Sequence, residues 1–348
     1  MEEKKRKNIR KPILITLCVL LAIVLVAVLV ITIKVSQYMS AIGGEDQMYQ
    51  GGMSEDEHNS SETNNPDIQG DVINPGDIDW GDPATQIGGG KDIINILLVG
   101  QDRREGEGRQ RSDSMILCTI NKSAKTLTMT SFMRDMYVQI PGYKDNRINA
   151  SYAFGGVKLL DKCINVNFGV VIDGNIEIDF FGFKDAIDIV GGIDIELSKA
   201  EADYLNRRGN WQVEDNAGQW SLKAGINHLN GSQALAYSRV RDIGNGDYGR
   251  TNRQRTVLTK LLEKAKGLSL VEADKLLMEI LPLLATDLSD KQIIRLVMEL
   301  LPILPELTIN TQQIPADNAH YGAYIREMAV LVPDLEKNRE ILANIMKE

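Results

Sequence analysis

The segment KDIINILLVG, residues 91–100, decides the fold, because it holds a short apolar run from Ile93 to Val99 that ends at a glycine. A run of this kind is typical of a buried strand. Two further strand-like segments follow, SMILCTI at 114–120 and KTLTMTSF at 125–132, and an Asn-Lys-Ser-Ala turn joins them. We therefore expect a β-hairpin next along the chain.

Helical and strand-like segments alternate over the rest of the chain. The segment FFGFKDAIDIVGG at 180–192 predicts a helix closed by glycine, and NGSQALAYS predicts another with Asn230 as its cap. A longer helix covers 250–267, where Val257, Leu258 and Leu261 share one face. Amphipathic helices follow, with further strands predicted in FGVVID, IEID, GIDIEL, LTINTQQIP and YIREMAVLVP. This alternation predicts a layered α/β domain.

The N-terminus combines a basic tail with a long apolar run. Residues 13–33 carry no charge, and at about 1.5 Å per residue they span roughly 30 Å, the thickness of a bilayer core. Lys and Arg residues precede the run, and the positive-inside rule keeps that end in the cytoplasm. We expect a cytoplasmic tail at 1–12, a transmembrane helix at 13–34 and the remainder outside the membrane. The alternative is a cleaved signal peptide with a site near SAIGG, residues 40–44.

The segment 35–90 contains no Lys or Arg, and its acidic residues lie among Gly, Ser, Asn and Pro. Such a composition buries too little apolar surface to order itself. We predict an acidic disordered linker at 35–90, and an extracytoplasmic folded domain at 91–348.

Composition excludes several classes of function. The formal net charge of -9 argues against nucleic-acid binding, which usually needs a basic domain. The three cysteines form no C-x-x-C pair, and the sequence leaves open whether Cys118 and Cys163 form a disulfide. A nucleotide triphosphatase is disfavoured, since the sequence has no Walker motif. It has no G-x-S-x-G motif either, so nucleophilic catalysis is unsupported.

The loop after the first strand, VGQDRREGEGRQRSDSM, carries two aspartates, Asp102 and Asp113. If the second strand returns beside the first, both carboxylates face one point at a strand end, where ligands often bind in α/β folds. Mg²⁺ takes one or two carboxylates and completes its shell with water and substrate phosphate. The alternative is a solvated, charged hairpin loop.

Arg134 and Asp135 follow the predicted hairpin in SFMRDMYVQIPG, and a surface ion pair explains them equally well. The next segment, RINASYAFGG, ends in Gly155 and Gly156. We expect these glycines to close a turn or to let a ligand approach the backbone.

The segment YSRVRDIGNGDYGRTNRQRT, residues 237–256, gathers five arginines in an acidic chain. Arg250, Arg253 and Gln254 are spaced to share one helical face, and Asp247 is suited to orient a guanidinium. Arginine forks match phosphate geometry. A ligand with phosphates is therefore the expected partner, and a solvated basic face is the alternative.

Taken in this order, the segments from about Ile93 to Lys266 resemble the LytR-CpsA-Psr family. The resemblance implies a single domain with a central mixed β-sheet flanked by helices, and a long apolar pocket for a lipid. It also implies a phosphotransferase that moves a polyprenyl-pyrophosphate-linked anionic glycopolymer, such as teichoic acid or capsule, onto a peptidoglycan sugar hydroxyl.

The resemblance also implies site residues. Asp102 and Asp113 would hold Mg²⁺ or Mn²⁺. The residues that would bind the pyrophosphate are Arg104, Arg111, Arg134, Arg239, Arg241, Arg250, Arg253 and Gln254, of which Arg134, Arg239 and Arg241 are also assigned to catalysis. Asp135 would orient Arg134 or help to deprotonate the acceptor. The sequence departs from the family at SFMRD, where the family usually has a proline before the arginine.

The expected partners are the lipid-linked glycan, peptidoglycan and the cytoplasmic membrane, with no nucleic acid. Two alternatives use the same residues: a module that only binds polyprenyl phosphates, and a pyrophosphatase that uses water as the acceptor. A membrane-bound transcription regulator is disfavoured, because about a dozen residues before the anchor are too few for a DNA-binding domain.

Overall fold

The computed structural model describes residues 33–34, 36–38, 40–44, 48, 64–101, 112–207, 220–300 and 302–347. The predicted cytoplasmic tail at 1–12 and most of the predicted transmembrane helix at 13–34 lie outside these residues. Within the described part of the chain, no helix is both long enough and apolar enough to cross a membrane.

The strands, in chain order, are β1 (Asp71–Val72), β2 (Ile93–Gln101), β3 (Ser112–Asn121), β4 (Thr126–Phe132), β5 (Tyr137–Val138), β6 (Asn146–Arg147), β7 (Gly174–Asp179), β8 (Ile193–Leu197), β9 (Gly225–Leu229), β10 (Ala285–Thr286), β11 (Thr308–Ile314), β12 (His320–Ile325) and β13 (Met328–Pro333). The α-helices that follow β6 are α1 (Ile148–Phe168), α2 (Phe180–Ile189), α3 (Lys199–Leu205), α4 (Gly231–Arg239), α5 (Gly246–Lys266), α6 (Leu270–Ile280), α7 (Asp290–Leu300) and α8 (Leu335–Ile345).

The central sheet has the strand order β10-β7-β2-β3-β4-β11. β2, β3 and β4 are antiparallel neighbours, which confirms the predicted hairpin. β7 runs parallel to β2 and β11 runs parallel to β4, so the sheet is mixed. Along β2, Leu97 and Val99 belong to the core on one face, while Ile94 and Ile96 belong to the core on the other. Both faces are covered, which explains why this strand is apolar at nearly every position.

Different helices cover the two faces of the sheet. α1 and α8 pack on one face, where Phe168 and Leu342 join the core that contains Leu97. α5 and α7 contribute Leu262 and Leu296 to the core on the other face. A separate apolar core joins α2, α4 and the antiparallel pair of β8 and β9. The prediction of a layered α/β domain with a central mixed sheet is confirmed.

The segment with Gly155 and Gly156 differs from its prediction, because both residues lie inside α1 rather than in a turn between elements. Gly156 has φ 66° and ψ −160°, a conformation that non-glycine residues rarely adopt, and it kinks the helix. Most of α1 is buried, so it lacks the one-sided apolar pattern that predicts a surface helix.

The described part of the predicted linker is not disordered. Residues 64–90 lie on the domain, and β1 pairs with β12. Ile68 is buried, and Trp80 stacks on Tyr137 with ring centroids 6.0 Å apart. A few spaced apolar side chains anchor this polar segment to the core of the domain. The linker prediction relied on the average composition of the segment, which does not reveal such single side chains. The folded domain therefore begins before the predicted boundary at residue 91.

The two described cysteines are free. Cys163 belongs to the core that α1 forms with the sheet, whereas Cys118 packs against the core on the opposite face. The sheet separates them, so they do not form the disulfide that the sequence left open.

Candidate functional site

Four chain segments meet at one edge of the central sheet and bring charged side chains together. Asp113 stands at the start of β3, Arg134 follows β4, and Arg241 follows α4. Asp247 and Arg250 lie at the start of α5. We call these five residues the arginine cluster.

Asp247 lies at the centre of the arginine cluster. Its Oδ2 accepts hydrogen bonds from Nε of Arg134 at 3.0 Å and from Nη2 of Arg250 at 3.2 Å. Its Oδ1 lies 3.3 Å from Nε of Arg241. Asp113, in β3, also binds the guanidinium of Arg134, since its Oδ1 accepts a hydrogen bond from Nη1 of Arg134 at 2.9 Å. The sequence suggested that Asp247 orients one guanidinium, and the structure shows that it orients three.

The arginine cluster has more positive than negative charge. Burial alone would raise the pKa of Asp113, but the guanidiniums of Arg250, Arg134 and Arg241 lower it to about 2. Burial also opposes ionisation of Asp247, and the same arginines hold its pKa below the usual range. Burial lowers the pKa of Arg250 to about 10, which leaves it charged at neutral pH. Ionised carboxylates therefore hold three charged guanidiniums around a site that suits an anion.

Arg241 and Arg250 keep hydrogen-bonding capacity for a ligand. The side chain of Arg241 is 41% exposed. Arg250 is buried, and its Nε has no hydrogen-bond partner among the residues that the structure describes. An unsatisfied buried donor is costly unless water or a ligand completes it. These two residues therefore mark the ligand side of the arginine cluster.

Asp135 lies behind the arginine cluster and is fully buried. Its Oδ2 accepts a hydrogen bond from Nδ2 of Asn65 at 3.1 Å, and its Oδ1 lies 3.6 Å from Nε of Arg147. Burial raises the pKa of Asp135 to about 6. Because the carboxylate has no exposed surface, its placement favours the predicted role in orienting Arg134, whose Nε is 3.8 Å away, over contact with an acceptor.

An apolar cavity of about 250 Å³ lies between the sheet and helices α2, α4, α5 and α6. Its wall includes Leu98, Ile116, Ile178, Phe183, Leu258 and Leu261. Ser114 and Ser238 also line it, and they adjoin Asp113 and Arg239 in the chain. The apolar cavity therefore borders the arginine cluster.

Arg239 and Gln254 lie where the apolar cavity meets the arginine cluster. The guanidinium carbon of Arg239 is 4.6 Å from the ring centroid of Phe180, which lines the cavity. Gln254 lines the same cavity about one helical turn beyond Arg250. The structure thus brings both predicted residues to the site.

Arg253 points away from the arginine cluster. Its Nε donates to Oε1 of Glu201 at 2.8 Å, and its terminal nitrogens donate to the carbonyl oxygens of Val240 at 3.1 Å and Ile243 at 2.9 Å. Relative to Arg250, Arg253 is position i+3 and Gln254 is position i+4 of the helix, and these two positions project on opposite sides of position i. Gln254 therefore reaches the site beside Arg250, whereas Arg253 ties α3 and the segment after α4 to α5. Its placement does not support the predicted contact with a pyrophosphate.

The remaining predicted site residues, Asp102, Arg104 and Arg111, lie outside the described residues, so their roles stay predictions. Their flanking strands are described, and Gln101 pairs with Ser112 at a β-bulge. The second strand therefore returns beside the first, as the metal prediction requires. In the described ranges, no group of three or more His, Cys, Asp or Glu is arranged to hold a metal ion.

Sequence reasoning missed Asn65 and Arg147, the two residues that hold Asp135. Asn65 falls in the segment predicted to be a disordered linker, and its partner lies 70 positions away along the chain. Arg147 is fully buried, and its Nη2 donates to the carbonyl oxygen of Ala329 at 2.9 Å. Asn65 belongs to no local motif. Arg147 opens the segment RINASYAFGG, but only the tertiary structure shows that it contacts Asp135.

Comparison with known proteins places this site in context. The family model described as the LytR_cpsA_psr family matches residues 48–345. The polyisoprenyl-teichoic acid–peptidoglycan teichoic acid transferase TagU of Bacillus licheniformis is 38% identical over 180 residues, which are 51% of this chain and 54% of that protein. Biofilm regulatory protein A of Streptococcus mutans is 37% identical over 202 residues, which are 53% of this chain and 48% of that protein. The chain thus spans about half the length of the curated relatives it matches.

Solved structures share the fold over most of their length. The structure described as TagT bound to LIIa-WTA is 27% identical with a TM-score of 0.60, and the match covers 74% of this chain and 92% of that one. The family protein YwtF (TagT) with bound octaprenyl pyrophosphate lipid is 26% identical with a TM-score of 0.56, at the same coverage of 74% and 92%.

Proposed function

Because the chain belongs to the LytR-CpsA-Psr family, we propose that it is a phosphotransferase of the bacterial cell wall. In this proposal it moves an anionic glycopolymer from a polyprenyl pyrophosphate carrier onto a sugar hydroxyl of peptidoglycan, and it releases polyprenyl phosphate. Two similar proteins support the reaction: TagU is named as a teichoic acid transferase, and YwtF is described with a bound polyprenyl pyrophosphate.

One observation of this molecule carries the proposal: the apolar cavity borders the arginine cluster. The cavity suits a hydrocarbon chain, because burial stabilises each methylene by about 0.8 kcal/mol. The cluster suits phosphate, because guanidiniums form strong charge-assisted hydrogen bonds with phosphate oxygens. A lipid pyrophosphate joins both parts in one molecule.

The reaction needs positioning and charge neutralisation rather than a covalent enzyme intermediate. Arg134, Arg241 and Arg250 bind the pyrophosphate, while Arg239 and Gln254 hold it at the mouth of the apolar cavity. The acceptor oxygen attacks the phosphorus next to the glycan, and the bond from that phosphorus to the bridging oxygen breaks. Polyprenyl phosphate leaves with the electron pair, and the hydroxyl proton passes to a phosphate oxygen. The arginines stabilise the charge that develops on the bridging oxygen.

Asp113, together with Asp102, would hold Mg²⁺ or Mn²⁺. Asp113 fits this role because its pKa is about 2, its side chain is 20% exposed, and it stands where β2 and β3 meet. Such ions take one or two carboxylates and complete their shell with phosphate oxygens and water. When bound, the ion would neutralise charge on the pyrophosphate.

The proposed location is the outer face of the cytoplasmic membrane, with the domain anchored through residues 13–34. The end of this segment and the chain just after it support the arrangement, since Nζ of Lys34 and the hydroxyl of Tyr38 both bond to the carboxylate of Asp274 in α6. The same helix lines the apolar cavity through Ile280. A carrier lipid in the bilayer would therefore have a short path to the cavity.

Transfer of a labelled glycan tests the proposal. The full chain in detergent is incubated with Mg²⁺, a labelled polyprenyl-pyrophosphate-linked glycan and peptidoglycan, and label in the insoluble wall fraction is measured. We expect transfer by the wild type and by Arg295→Ala, a variant of a 67% exposed residue on α7, and none by Arg250→Ala. Lipid binding without transfer would identify a carrier module, and free glycan released without acceptor would identify a pyrophosphatase.

A further inference from the structure

A second cavity, of about 300 Å³, shares Asp247 with the arginine cluster. Four chain segments form its wall: Asn65, Asp67 and Gln69 come from the segment before β1, Tyr248 from α5, His320 from β12 and Leu331 from β13. We call it the polar cavity. Its volume is at the lower end of the range for small-molecule sites.

Tyr248 and His320 form an aromatic wall whose polar atoms already have partners. The Tyr248 hydroxyl and Nε2 of His320 are 2.5 Å apart, and Nδ1 of His320 lies 2.9 Å from the carbonyl oxygen of Ala316. A carbonyl oxygen only accepts, so Nδ1 carries the proton and Nε2 accepts from the tyrosine hydroxyl. The ring centroids are 5.8 Å apart. This wall therefore offers ring surface to a ligand.

The remaining wall offers polar groups with unused capacity. The Asp67 carboxylate and the Gln69 side-chain amide have no hydrogen-bond partner in the described part of the chain. Asn65 connects the cavity to the catalytic side of the molecule, because its amide donates to Asp135. These groups are suited to accept hydrogen bonds from hydroxyls or to donate one to an acetamido oxygen.

The combination of charges selects a class of ligand. Asp67 and Asp247 line the polar cavity, and no Lys or Arg does so among the described residues. The arginines balance the charge of Asp247, so the Asp67 carboxylate is the group that disfavours a phosphate-rich polymer in this cavity. An aromatic wall beside carboxylate and amide groups suits the C–H faces and hydroxyls of a neutral sugar. The cavity therefore fits an uncharged saccharide better than the anionic donor polymer.

The order of the two cavities along α5 fits the geometry of the reaction. Asp247 and Tyr248 line the polar cavity, Arg250 follows, and Leu258 lines the apolar cavity. At about 1.5 Å per residue, ten positions separate Tyr248 from Leu258 by about 15 Å along the helix axis. In phosphoryl transfer the attacking and leaving oxygens lie roughly in line with the phosphorus. If the lipid phosphate that leaves lies on one side of the arginines, the acceptor hydroxyl that attacks must therefore lie on the opposite side.

We propose that the polar cavity binds the acceptor, an uncharged N-acetylhexosamine unit of a peptidoglycan glycan strand. This inference rests on the proposed function, since it names the acceptor subsite of the same reaction. Tyr248 packs against the sugar ring, and Asp67 and Gln69 bond to its hydroxyl and acetamido groups. The hydroxyl that reacts faces Asp247 and the arginine cluster.

The test measures acceptor and donor binding separately on the full chain in detergent. The acceptor probe is an N-acetylglucosamine tetrasaccharide observed by saturation-transfer NMR, and the donor probe is octaprenyl pyrophosphate. We expect Tyr248→Leu and Gln69→Ala each to weaken tetrasaccharide binding by at least about tenfold and to leave the donor dissociation constant within about twofold. Tyr321→Leu, which removes a 51% exposed ring outside the cavity, serves as the matched control and retains binding.

The outcomes distinguish this inference from the proposed function. Tetrasaccharide binding that Gln69→Ala and Tyr248→Leu leave unchanged would overturn the inference, as would no binding by the wild type. Gln69 is exposed, so its variant keeps the test valid if Tyr248→Leu fails to fold. Loss of octaprenyl pyrophosphate binding instead would show that these residues serve the donor site and would also overturn the inference. If the wild type transfers no glycan but binds the tetrasaccharide at this cavity, the proposed function fails and the saccharide site stands.

Discussion

Asp247 is a single side chain on which three guanidiniums depend. It stands in the first turn of α5, where the helix N-terminus also favours negative charge. Arg134 and Arg241 lie close enough to Arg250 to lower its pKa, so the arginines repel one another. The carboxylate offsets this repulsion and orients the donors before a phosphate arrives. The site is therefore preorganised for charge that develops during the reaction.

Asp247→Asn should lower the free energy of unfolding by about 3 kcal/mol, because it leaves a buried guanidinium without its main counter-ion. The same variant should weaken binding of inorganic pyrophosphate, since the arginines lose their orientation. Urea denaturation and calorimetric titration measure the two effects. Asp203→Asn is the control, because this carboxylate forms an exposed ion pair with Lys199. Unchanged stability in Asp247→Asn would contradict the central role of this residue.

Arg253 and Arg255 are both buried, but only Arg253 has well-formed partners. Nε and Nη1 of Arg255 have none among the described residues, and burial lowers its pKa to about 10. We expect Arg253→Met to destabilise the fold by about 3 kcal/mol, and Arg255→Met to be neutral or stabilising by about 1 kcal/mol. Thermal unfolding of the matched pair measures both. A large loss for Arg255→Met would show that a ligand or ordered water completes its guanidinium.

At the scale of elements, one asparagine links three of them. Asn175 at the start of β7 donates from Nδ2 to Asp161 of α1 at 2.9 Å and to Asp287 after β10 at 2.8 Å. Two carboxylates that share one amide repel each other, so one of them tends to stay protonated. Burial, assisted by Asp287, raises the pKa of Asp161 to about 7.

The raised pKa of Asp161 makes stability depend on pH. The folded protein holds this proton more tightly than the unfolded chain, in which the pKa is near 3.8. The contribution of the protonated Asp161 carboxyl to the free energy of unfolding is fully present below pH 3.8 and is lost as pH rises through about 7. We expect Asp161→Asn to flatten the fall in melting temperature across this window, while exposed Asp203→Asn leaves the profile as in the wild type. Parallel profiles for wild type and Asp161→Asn would contradict the shift.

The sequence predicted elements whose signals are local. The apolar run of β2 and the hairpin that follows need only neighbouring residues, and so does the cap at Asn230. α1 escaped prediction because it is buried on most sides, and Gly156 at its kink resembles a turn residue. Asn65 and Asp135 meet only because a polar segment docks on the finished domain. Contacts of this range depend on tertiary packing, which no local pattern records.

At the scale of the whole molecule, the helices and the sheet enclose an apolar cavity. Local sequence patterns predicted these helices and strands one by one, but the cavity arises only from the way they pack together. Helices α2, α4, α5 and α6 leave space over part of the sheet, and Phe180 and Phe183 line that space. An apolar cavity of about 250 Å³ carries a cost in stability when no ligand fills it. The proposed function explains why the fold retains it, since a lipid chain would occupy it during each cycle.

The cavity should make lipid length matter for affinity. Four or more buried methylenes, each contributing about 0.8 kcal/mol, predict that farnesyl pyrophosphate binds at least about a hundredfold more tightly than inorganic pyrophosphate. Ala186 is buried on α2 and lines the cavity, so Ala186→Phe should reduce this ratio below about tenfold and leave inorganic pyrophosphate binding unchanged. Val297→Phe, on a partly exposed position of α7, controls for the added ring. Calorimetric titration measures the affinities of both ligands for the wild type and for the two variants, and an unchanged ratio in Ala186→Phe would show that the lipid binds elsewhere.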